Sequence, residues 1–226
     1  MKLIIRLYIN ANPSGNGTDE IIMALTAGTL DFESYDASQS YMETIQDGIC
    51  VGIYSNSTTD NNINNWFFGI SGKKGNVRTS TGTTSQIYAN SAISNYYIRL
   101  ERTANGMTQL SVFSDPTFTT HLPGSPITFA IDPTITGLNT VQHGTAVCGW
   151  TTRLINAIVD NDLICDDSSI NTCSSIVLSD DFSSTVNWQS QGNGDVNINN
   201  GKCNFHNVYC GSYNRVYRNL GTTFVK

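Results

Sequence analysis

An all-β fold, a two-sheet antiparallel β-sandwich, is the class this sequence predicts, and three observations predict it. Ser, Thr and Asn make up roughly a third of the 226 residues, while charged residues reach only 13%, about half the usual quarter. Such side chains compete with helical backbone hydrogen bonds and favour turns and extended chain. Apolar residues alternate with a period of two in one run after another. Turn signals recur at intervals of roughly 8–12 residues and mark about twelve to fourteen short strands. The length suits one domain of sandwich size, or one domain and a fragment of a second.

Taken in order, residues 2–10 read as a strand with Leu3, Ile5, Leu7 and Ile9 on one face and Ile4, Arg6 and Tyr8 on the other. A loop with Pro13, Gly15 and Gly17 follows, then an apolar run at 21–27. Segments 48–55, 66–71, 95–101 and 107–114 have strand length and β-branched or aromatic content. The last two flank a loop ending in Asn105-Gly106, a hairpin signal because both residues tolerate positive φ. Segment 134–144 is the best candidate for a short helix, and 153–165 for a long strand. Residues 166–175 are polar and aperiodic, a linker. Beyond it come strands at 176–182, around Trp188, at 195–199, 202–205 and 213–225, with Asn199-Asn200-Gly201-Lys202 as a second hairpin turn.

Composition excludes several functions. A net charge of −6 argues against a phosphate-binding surface, which needs clustered Lys and Arg. No apolar run approaches the ~20 residues of a membrane-spanning helix. None of the six cysteines forms a C-x-x-C pair, which argues against structural zinc. An even count in a polar chain fits an extracellular or surface-attached setting, secreted or viral. Local closures, Cys203 with Cys210 and Cys165 with Cys173, stand beside the alternative of buried free thiols. Arg6 interrupts the apolar start, so residues 1–7 do not read as a signal peptide. Asn16-Gly17-Thr18 and Asn56-Ser57-Thr58 match the glycosylation sequon.

The stretch Tyr96-Tyr97-Ile98-Arg99-Leu100-Glu101-Arg102-Thr103, with the Asn-Gly hairpin and Leu110-Ser111-Val112-Phe113-Ser114-Asp115 after it, resembles concanavalin A-like (laminin G-like) jelly-roll modules. Residues 153–164, with Ile158-Val159-Asp160-Asn161-Asp162-Leu163, resemble the final core strand of such a module. Ser179-Asp180-Asp181-Phe182, Trp188, Val196 and Gly201-Lys202-Cys203-Asn204-Phe205 resemble its beginning. The opening strands therefore come last. Residues 1–165 form the main body of a sandwich, and 176–226 complete it, in cis or in trans. A circularly permuted domain, strand donation to a neighbouring subunit, and excision from a longer array of repeats all account for that order. A ten-residue linker spans at most ~33–36 Å, enough to cross one domain. Without the tail, the body would present unpaired strand edges and an uncovered apolar face.

Glycosidases on this scaffold need paired carboxylates about 5–5.5 Å apart. Asp31 with Glu33 and Glu43 with Asp47 are the nearest approaches, and neither has the same-face E-x-D-x-x-E pattern. No G-x-S-x-G or H-E-x-x-H motif occurs, and His121, His143 and His206 lie in different segments. No enzymatic activity is expected. The resemblance implies a structural Ca2+ between first and last strands, with Asp180 or Asp181 and Asp160 or Asp162 as oxygen ligands. For a glycan-binding face, Trp66 and Tyr97 offer rings, and Asn62, Asn64 and Asn65 offer amides beside the first.

The expected function is a non-catalytic extracellular module that binds a carbohydrate or cell-surface ligand in adhesion. A structural subunit that assembles through its own C-terminal strands is the alternative, and a glycosidase a distant third. Neither a nucleic-acid partner nor a membrane span is expected.

Overall fold

The computed structural model describes residues 2–12, 17–28, 47–55, 66–75, 77–80, 87–89, 93, 95–102, 106–149, 154–165, 176–184, 187–192, 195–207 and 213–224. They are all-β, with no helix among them. The strands, in order, are β1 Lys2–Asn12, β2 Gly17–Thr26, β3 Gly48–Ser55, β4 Trp66–Lys74, β5 Val77–Ser80, β6 Ile87–Tyr88, β7 Asn95–Arg102 and β8 Met107–Phe113. They continue with β9 Ile127–Ala130, β10 Leu138–Gly149, β11 Leu154–Cys165, β12 Ile176–Asp180, β13 Gln189–Gly192, β14 Asp195–Asn199, β15 Lys202–Asn207 and β16 Tyr213–Phe224.

Two eight-stranded sheets result. The first runs β14-β15-β11-β1-β7-β8-β9, with β12 also paired to β11. The second runs β13-β16-β10-β2-β3-β4-β5, with β6 also paired to β4. Alternation decides what each strand buries. Met23, Leu25, Ile49, Val51, Ile53, Phe68 and Ile70 of the second sheet join Tyr96, Ile98, Leu100, Leu110 and Val112 of the first in one hydrophobic core. The Phe68 and Tyr96 rings meet across it at 5.2 Å. That shared core between two antiparallel sheets is compatible with a β-sandwich.

The C-terminal strands pair with strands of residues 1–165. β12 and β15 share one edge of β11, from Asp162↔Asp180 to Cys165↔Ile176 and from Ile155↔Asn207 to Val159↔Cys203. β16 lies along β10, from Leu138↔Phe224 to Ala146↔Tyr213. Phe182, Trp188, Cys203, Phe205 and Val216 are buried in the common core. Each apolar side chain so buried contributes about 1.5–3 kcal/mol. Residues 166–175, read as the linker, lie outside the described residues, and the strands at its two ends are direct neighbours.

The hairpin at 199–202 forms as expected. Asn199 pairs with Lys202, and Asn200 and Gly201 take φ of 49° and 71°, the signature of a two-residue type I′ turn. The helix expected at 134–144 does not form, and β10 occupies most of that stretch. Arg102, 6% exposed, is one physical reason. Its Nη1 donates to the Ile135 carbonyl at 2.5 Å and its Nη2 to that of Asp132 at 3.0 Å. A side chain from β7 thus pins the turn in which the Ile135 amide donates to the Asp132 carbonyl at 3.2 Å, and the chain leaves that turn extended. Asp132 accepts from the Thr134 amide at 2.8 Å, and Gly137 turns at φ 72°, after which Val141 and His143 alternate inward.

Candidate functional site

On the second sheet the strand registers align aromatic positions in one row. In successive registers Glu20 lies opposite Tyr54, Tyr54 opposite Phe67, and Phe67 opposite Tyr88. One row thus crosses four strands and holds three aromatic residues. Phe67 is 9% exposed and Tyr88 is 51% exposed. The next row is Ile22, Gly52 and Gly69, and the one after it Ala24, Cys50 and Ser71. Gly52, Gly69, Ala24, Cys50 and Ser71 are all buried, so these two rows are covered in the fold. Further along, the Gln142 amide donates to Thr26 Oγ1, whose hydroxyl donates to the Gly28 carbonyl at 2.8 Å. Beside these covered rows Tyr88 is the exposed ring, and an exposed ring suits stacking on a saccharide's apolar face.

Trp66 opens β4 opposite Ser55, next to that row, while Phe68 and Ile70 beyond it are core. Asn62, Asn64 and Asn65, which directly precede it in the chain, lie outside the described residues. Tyr97 is elsewhere. Phe68 and Tyr96 face each other inside the core, so their neighbours Phe67 and Tyr97 belong to opposite outer faces of the molecule. Trp66 stands two residues before Phe68 in β4, and its side chain lies outside the described set. Tyr97 is 9% exposed and packs edge-on against Phe118 at 6.0 Å. Tyr88, which sequence reasoning passed over, is the exposed ring. Its signal was only a two-residue apolar pair between polar stretches.

For the acidic set, the backbone brings the two motifs together: Asp162 and Asp180 are register partners. Asp160 falls at the irregularity where Arg6 pairs with Asn161 and Leu7 with Val159, the extra residue of a bulge. The side chains of Asp160 and Asp162 lie outside the described set. The Asp180 carboxylate accepts from the Phe182 amide at 2.7 Å and the Trp188 indole N–H at 3.1 Å, and pairs with Arg218. A guanidinium and two N–H donors thus already engage that carboxylate. Asp181 is exposed, and the hydroxyl and amide of Ser183 hold its carboxyl below the ordinary range. Among the described residues no three His, Cys, Asp or Glu gather as a metal group.

Cys203 is buried opposite Val159 and Ile198. Cys173 and Cys210, the expected partners of Cys165 and Cys203, and the sequon residues Asn16 and Asn56 lie outside the described residues. No described helix is long and apolar enough to cross a membrane.

A second group sits on the first sheet's outward face, under the loop 114–126. Asp115 holds that loop. Its carboxylate accepts from the Thr117 amide at 3.0 Å, the Thr119 hydroxyl at 3.1 Å and the Thr120 amide at 2.6 Å, and from the Thr117 hydroxyl. These donors, the Thr117 hydroxyl foremost, hold its carboxyl far below the usual carboxylate range. The loop lays Phe118 on Phe113 at 5.3 Å and His121 on Phe113 at 4.3 Å, and the Ser125 hydroxyl accepts from the Val112 amide at 2.9 Å. Compared with known protein families and curated proteins, the chain matches no family model and no curated protein.

Proposed function

We propose that the protein is a non-catalytic extracellular module of the concanavalin A-like jelly-roll type, that residues 176–226 complete its sandwich, and that it binds a carbohydrate or a surface ligand. The observation that carries this reading is Tyr88, an exposed ring set by register opposite Phe67. The 51% exposure of Tyr88 supports a stacking ring. A neutral-glycan array with wild type and Tyr88→Ala tests it. The expected result is binding by wild type and a loss of about tenfold or more in the variant, worth ~1.4 kcal/mol, with an unchanged melting temperature. An array without neutral-glycan binding, or binding that Tyr88→Ala leaves intact, contradicts the reading.

A second reading, a subunit that assembles by strand donation, has one observation in its favour. Ten residues connect β11 to β12, although the strand ends they join are direct neighbours. That length leaves reach for the tail to pair with a second copy. Light scattering separates the readings: a ladder of sizes supports strand donation, and a compact monomer supports the binder.

A further inference from the structure

We draw no further inference here: the strongest candidate, the outward face of the second sheet, where Ala24, Cys50 and Ser71 are buried in one row, carries none because nothing among the described residues shows what covers it.

Discussion

Arg218 of β16 and Asp180 of β12 form an ion pair between the two sheets, with side chains 23% and 12% exposed. The Trp188 indole and the Phe182 amide donate to the same carboxylate. Three tail segments therefore meet on one group. Replacing Asp180 with Asn keeps the shape and removes the charge, which leaves a largely buried guanidinium without its counter-ion. The expected cost is about 2–4 kcal/mol, read from urea midpoints, and Arg218→Met with Asp180→Asn should cost less than the single Asp180→Asn change. A double variant weaker than that single variant would contradict the coupling.

Asp115 sets an acid dependence for the loop 114–126. Its folded pKa is depressed by hydroxyl and amide donors, so the stabilisation it supplies is complete above the unfolded value near ~3.9. It is lost as pH falls through the depressed folded value. Between pH 5 and 4 the loop amides should keep their NMR shifts, and Asp115→Asn should remove the strong-acid transition. A carboxyl titration at an ordinary value would refute this.

Gly72 faces the core with no room for a side chain. An added Cβ would lie 2.3 Å from Ile131 Cγ2 and 3.3 Å from Ile135 Cδ1. Gly72→Ala should destabilise by about 1–3 kcal/mol through overpacking, whereas the usual strand preference for Ala over Gly would stabilise slightly. A melting temperature equal to or above that of wild type would show that the 131–135 segment yields.

Removing residues 176–226 strips the free edges of β10 and β11 and takes Phe182, Trp188, Phe205 and Val216 from the core. At about 1.5–3 kcal/mol for each ring or aliphatic group, the loss rivals the roughly 5–15 kcal/mol net stability of a domain. The truncated chain should be insoluble or multimeric by size-exclusion chromatography. A soluble monomer of 1–165 with a cooperative melt would contradict the completed sandwich.

The strands with strict alternation were legible, as in β1, where Leu3, Ile5 and Leu7 form one row. So was the Asn200-Gly201 turn, because positive φ at two successive positions is written in residue type. The approach of Asp162 to Asp180 followed from the two motifs that resemble the ends of a jelly roll. What stayed hidden was tertiary. Segment 134–144 reads locally as a short helix or helical turn; a turn closes at 132–135, pinned by Arg102 on the carbonyls of Asp132 and Ile135, and β10 takes over from Leu138. Phe67 and Tyr97 both sit in aromatic strands, and nothing local to either tells that Phe68 meets Tyr96 and so sends the two to opposite faces.

The most direct test of the account is a nuclear Overhauser measurement on full-length chain refolded as an equal mixture of 13C-labelled and unlabelled copies. It reads cross-strand proximities for Ala157 with Phe205 and for His143 with Val216. The account predicts contacts within one copy only, in a monomeric sample. Contacts found only between labelled and unlabelled copies, or a tail that touches neither β10 nor β11, would contradict it.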